Sequence, residues 1–156
     1  MKVNYRPVLI VRSVSIEKIS VVIDLCQHKW PGNPVYIVTA GAGRKHECLA
    51  DSRVCEVLVH NSLDGAYAGR FESVLNFEAI VFPVENGSGV GYANIFKCFS
   101  FVNTQGYYLS EFCSNLKTMS KLRLKLKVSW ELFVKKMAGP FASLLAKIIL
   151  KRVIVD

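Results

Sequence analysis

The chain has 156 residues, 51% of them hydrophobic and 21% charged, with a mean hydropathy of +0.29. That is one domain's length with ample core material: it excludes a disordered chain, is too short for a complete two-domain group-transfer enzyme, and shows no internal repeat. The net charge of +8 is uneven, because residues 1–114 hold ten basic and ten acidic residues whereas residues 115–156 hold ten basic and two acidic ones.

In chain order, Val8-Leu9-Ile10-Val11 is a continuous apolar run, the mark of a strand buried on both faces. After Arg12-Ser13-Val14-Ser15, the spacing of Ile16, Ile19, Ile23 and Cys26 predicts a helix, which the breakers Pro31-Gly32-Asn33-Pro34 end. Val35 to Thr39 reads as a second strand, Lys45 to Ala50 as a short helix, and Val57 to His60 as a third strand. A weak helical stripe passes through Phe71, Val74 and Leu75. Ala79 to Val84 is a fourth strand, followed by a glycine loop, a helix through Ala93, Ile95, Phe96, Phe99 and Val102, and a fifth strand at Tyr107-Tyr108-Leu109. Strands alternating with helices at this spacing predict an α/β domain over residues 1–114: a Rossmann-like parallel sheet of about five strands with helices on both faces.

Residues 115–156 read as a separate basic amphipathic tail. Lys121 to Val128 alternates with a strand's period of two, yet Met119, Leu122, Leu126, Phe133 and Met137 also form a helical stripe, so its conformation stays open. Beyond it, Phe141, Leu144, Leu145, Ile148 and Ile149 recur at helical spacing, with Pro140 expected to kink or restart the helix. The longest uncharged run, Met137 to Ala146, is far short of the roughly 20 residues that cross a bilayer. A basic helix with an apolar face suits an anionic membrane surface, with Trp130, Phe133, Lys135, Lys136, Phe141, Leu145, Lys147, Lys151 and Arg152 as the contact residues. The same stripe can instead pack on the protein's own sheet or on a partner.

In an open parallel sheet ligands bind beyond the carboxyl ends of the strands. Three loops converge there and supply the candidate ligand-binding residues: Arg12, Ser13 and Ser15; Thr39, Gly41 and Gly43; and Asn86, Gly87, Ser88, Gly89, Tyr92 and Asn94. Backbone N–H groups at helix starts, with Gly and Ser, suit a phosphate or diphosphate. No complete phosphate-binding fingerprint is present, and the glycine loop also reads as a plain turn. Glu85, directly after a buried strand, is a candidate general base or a loop cap. The three histidines form no triad or metal cluster, so no metal and no cofactor is expected. Five cysteines without a C-x-x-C pair point to a reducing compartment, and the short apolar run from Pro7 to Val11 does not make a secretory signal.

The order of these pieces resembles the N-terminal, acceptor-side half of GT-B glycosyltransferases, closest to the ADP-heptose:lipopolysaccharide heptosyltransferase group. The likeness is carried by Val8 to Ile16, by Trp30-Pro31 before Val35 to Thr39, and by Val57-Leu58-Val59, and it covers about residues 7–102. It implies a sugar-transfer setting in which an Asp after the first loop is the base. Here Glu17-Lys18 stands where that family carries Gly-Asp, so Glu17 joins Glu85 as a candidate catalytic carboxylate. No counterpart of the family's donor-binding second domain is read in these residues.

The resulting expectation is a glycosyltransferase-like half domain in the cytoplasm, peripheral to the inner face of the membrane. It would act in lipid-linked or cell-surface glycan assembly, with a sugar phosphate or nucleotide-sugar as ligand. Transfer would need a separate donor-binding subunit, or a homo-oligomer. The alternative is a noncatalytic nucleotide- or sugar-phosphate-binding regulatory domain. Nucleic-acid binding ranks last, because the tail carries no recognisable module and its apolar stripe would be unexplained.

Overall fold

A computed structural model describes residues 5–41, 44–60, 67, 69–86 and 92–153, except the side chains of Lys135 and of residues 139–153. Six strands form one sheet: β1 (Val8–Val11), β2 (Val35–Ala40), β3 (Val54–His60), β4 (Phe77–Val84), β5 (Thr104–Glu111) and β6 (Asn115–Met119). Their order is β3-β2-β1-β4-β5-β6, with every neighbouring pair parallel except the antiparallel β5–β6. Successive strands step away from β1 in one direction to β3 and in the other from β4, so the order reverses between β1 and β4.

Both faces of the sheet are covered, which is why β1 is apolar and buried at all four positions. On one face, Ile19, Val22, Ile23 and Cys26 of α1 (Ile16–Lys29) pack on Val8, Ile10, Ile37 and Val81. Cys48 of the short α2 (Lys45–Leu49) joins this layer. On the other, Phe96 and Phe99 of α3 (Ala93–Phe99) meet Phe82, Tyr107 and Leu109. Phe82 and Phe96 pack edge to face with ring centroids 5.2 Å apart, a geometry favoured by the ring quadrupoles.

The α/β architecture is as expected, but the sheet has six strands rather than five, and the extra strand lies in the segment assigned to the tail. β5 and β6 are joined by the turn at residues 112–114, so the expected boundary at 114/115 falls inside a hairpin. The strand reading of Lys121 to Val128 is also replaced. A single helix, α4 (Lys121–Val153), begins there and contains Pro140. The Ser120 hydroxyl caps it by accepting a hydrogen bond from the Arg123 N–H at 3.2 Å, satisfying one of the first-turn donors. Leu124 and Val128 are buried in the same core as Phe96, so the first turns of α4 belong to the domain and are not an appendage. The weak stripe at Phe71, Val74 and Leu75 is irregular chain: Phe71 is buried, and Val74 is fully exposed. Among the described residues no helix is long and apolar enough to cross a membrane.

Candidate functional site

The reversal of strand order leaves a crevice between the ends of β1 and β4, and there the structure forms a cleft of about 730 Å³. Arg12, Ser13 and Ser15 enter it from the β1–α1 loop, Arg44 and Glu47 from the start of α2, Glu85 from the end of β4 and Asn94 from α3. Tyr67 completes the wall.

Arg12 is largely buried because its guanidinium turns under α2. Its Nη2 donates to Glu47 Oε2 at 2.6 Å, and its Nη1 donates to the Arg44 carbonyl at 3.2 Å and toward Cys48 Sγ at 3.6 Å. Burial works against the Arg12 charge, but the Glu47 bond and the Cys48 contact outweigh it, and its pKa stands above the ordinary value. Arg44 is exposed and forms no ion pair among the described residues. The Tyr67 hydroxyl lies 2.7 Å from the Val38 carbonyl and 3.0 Å from that of Arg12, so it ties the ends of β1 and β2 together. Burial raises the Tyr67 pKa far above its usual value, and the group stays a phenol. Ser13 likewise donates to the Pro83 carbonyl, stitching β1 to β4.

The two candidate carboxylates separate. Glu85 stands at the cleft but is paired with Lys18 at 2.6 Å, while its own N–H donates to the Tyr92 hydroxyl at 3.3 Å. Glu17 lies outside the cleft, on a groove between α1 and α2. Its carboxyl is held below the usual range by its own backbone N–H and by Ser15, as befits an acid in the first turn of a helix. Thr39 is not at the cleft either: β2 runs on to Ala40, pairing Thr39 with Val59, and the Thr39 side chain is fully buried. Gly41 follows the strand at φ +82°, a conformation open to glycine, and donates its N–H to the His60 carbonyl. Asn86 is half-buried at the end of β4 and is not among the cleft-lining residues. Gly43, Gly87, Ser88 and Gly89 lie outside the described residues. Glu47 and Tyr67 were not anticipated from the sequence, and no motif marks them.

On α4 the inner face is Leu124, Val128 and Glu131, all buried. Leu122, Leu126, Trp130, Phe133 and Met137 are exposed and fall within an arc of about 80° at roughly 100° per residue. Met119, read with that stripe, is buried on β6 instead. Lys136 is exposed, as are Lys121 and Lys125 on the same flank. Lys135, Phe141, Leu145, Lys147, Lys151 and Arg152 belong to α4, but their side chains lie outside the description.

In comparisons with known proteins, no family model matches the chain, and neither a curated protein nor a solved structure does.

Proposed function

We propose that the chain is a glycosyltransferase-like half domain working at a membrane surface in lipid-linked or cell-surface glycan assembly. It holds a phosphorylated sugar ligand in the switch-point cleft and depends on a donor-binding half carried elsewhere for any transfer. The observation that carries this reading is the cleft itself, set at the reversal of strand order and walled by Arg44, buried Arg12 and the β1–α1 loop up to Ser15, the N-cap of α1. Helix N-terminal N–H groups and guanidinium forks are complementary to phosphate oxygens. The resemblance of residues 7–102 to the acceptor half of GT-B enzymes supplies the sugar-transfer context.

Both carboxylates at the cleft are engaged, Glu47 with Arg12 and Glu85 with Lys18. Neither stands as a ready general base, which favours binding without independent turnover. The cytoplasmic-leaflet placement rests on the exposed stripe of α4 and the basic residues around it, whose side chains suit the headgroup layer.

The test is thermal stability in the presence of sugar phosphates, nucleoside diphosphates and nucleotide-sugars. A ligand at 100 times its dissociation constant adds about 2.7 kcal/mol. Arg44→Ala, which removes an exposed cation that forms no ion pair among the described residues, is expected to abolish that gain without lowering the ligand-free midpoint. No stabilisation by any compound of the three classes would remove the cleft reading. Flotation on anionic vesicles tests the other half: Leu126→Ser/Trp130→Ser should leave the protein in the soluble fraction.

A further inference from the structure

A second cavity, of about 400 Å³, opens where the β5–β6 hairpin meets the first turns of α4. Its wall carries Glu111 from β5, Lys117 and Thr118 from β6, and Arg123 and Lys127 from α4. Lys117 is committed to Glu111 by an ion pair. Arg123 and Lys127 stand one helical turn apart on one flank of α4, and neither forms an ion pair among the described residues.

Lys127 is the unusual member. It is half-buried with its Nζ 5.6 Å from the centre of the Phe96 ring. Burial lowers its pKa, and the fields of Glu131 and Glu111 offset this only in part. A partly desolvated ammonium that forms no ion pair among the described residues is suited to receive an anionic oxygen. The position of the cavity says which anion. Arg123 and Lys127 border the edge of the exposed stripe formed by Leu126 and Trp130, so a surface that receives the stripe brings its headgroups to the cavity mouth.

We infer that this cavity is a headgroup site, in which Arg123 and Lys127 take the phosphate of one anionic phospholipid while the adjoining stripe lies in the bilayer interface. The inference rests on the membrane reading above and deepens it. Lys121, Lys125 and Lys136 on the opposite flank add diffuse attraction, whereas the cavity adds a saturable contact.

The experiment floats the full chain on phosphatidylcholine vesicles containing 30% phosphatidylglycerol. It compares Arg123→Gln/Lys127→Gln with Lys121→Gln/Lys125→Gln, which removes the same charge from the other flank. The cavity variant should lose about tenfold more affinity than its charge-matched control, because it loses directed hydrogen bonds as well as charge. Wild-type protein that fails to float overturns the membrane reading and the site with it. Wild type that floats, with equal losses in the two variants, overturns the site alone and leaves the membrane reading standing. Thermal melts check folding, and the single variants Arg123→Gln and Lys125→Gln, both at exposed positions, repeat the comparison if Lys127 proves necessary to the fold.

A solution arm identifies the source of the phosphate. Monomeric dihexanoyl-phosphatidylglycerol should perturb the amide resonances of residues 117–127, and inorganic phosphate at the same concentration should not. Equal perturbation by both would make this a free-phosphate site and overturn the lipid assignment.

Discussion

Lys18 Nζ lies 2.6 Å from Glu85 Oε1, joining the first turn of α1 to the end of β4 at the mouth of the cleft. Lys18 contacts the carboxylate that directly follows β4, the candidate base of the sequence reading. Both side chains are about half exposed, so solvent screens the pair and its contribution to folding is small. Lys18→Ala is therefore expected to leave the urea midpoint nearly unchanged, and Glu85→Gln likewise. If the pair also holds the cleft's rim in place, both variants should weaken ligand-induced stabilisation together. A loss of several kcal/mol in the unliganded protein would show instead that the pair is structural.

The alternation Lys121 to Val128 yields a sharper test. In a strand, Leu122, Leu124, Leu126 and Val128 would share one face and one burial. In α4 they divide: Leu124 is 0% exposed and Leu126 is 61% exposed. Leu124→Ala should cost about 2–5 kcal/mol through lost burial and the cavity left beside Phe96, whereas Leu126→Ala should stay within about 0.5 kcal/mol. Chemical denaturation of the two variants reads this directly. Similar losses at both positions would return the segment to a two-faced strand.

This division also marks where the sequence stops being informative. The strands β1, β2 and β4 are legible because continuous apolar runs between turn residues have little alternative once both sheet faces are covered. Arg12, Ser13, Ser15, Glu85 and Asn94 reach the cleft because the chain order puts their loops at the carboxyl ends of β1 and β4. β6 is hidden for a local reason: its hairpin turns through Phe112 and Cys113 at φ 49° and 55°, where Asn or Gly would ordinarily announce the turn. Only Met119 of its five residues is buried, so its apolar pattern is faint. Thr39 reads correctly as part of the second strand but is also counted with the loop after it; β2 runs on to Ala40, and the Thr39 side chain stays buried in the sheet. Tyr67 comes from a stretch without periodicity, and tertiary contacts bring it to the cleft: ring packing on His60 and Phe99 and its hydroxyl bonds to the Val38 and Arg12 carbonyls.

Acid stability should depend on a cluster remote from the cleft. Arg53 donates to Asp51 through Nε at 2.8 Å and through Nη2 at 2.5 Å, and it also pairs with Asp24. The Arg53 hydrogen bond, chiefly, draws the Asp51 carboxyl down to about 2. Because the folded pKa lies below the unfolded value of about 3.9, the stabilisation is fully present above that value and is lost as pH falls toward 2. It should amount to about 1–2 kcal/mol. In Asp51→Asn the difference from wild type should be present at pH 7 and shrink as pH falls from about 4 to about 2. A gap between the two proteins that is independent of pH would mean that the carboxylate's charge contributes nothing.

The thiols should react in two classes. Cys55 is exposed at the edge strand β3, whereas Cys26, Cys48, Cys98 and Cys113 are buried. Burial pushes Cys26 up to about 12 and Cys98 up to about 11, and it raises Cys48 and Cys113 as well. The thiolate is the reacting form, so burial suppresses both access and reactivity. Titration of the native protein with a disulfide reagent at pH 8 should modify Cys55 promptly and the other four only at the rate of opening of the fold. In Cys55→Ser the fast phase should vanish. A second fast-reacting thiol at Cys48 would show that α2 lifts from the sheet and exposes Arg12, which would make the cleft larger in solution than its resting volume of about 730 Å³.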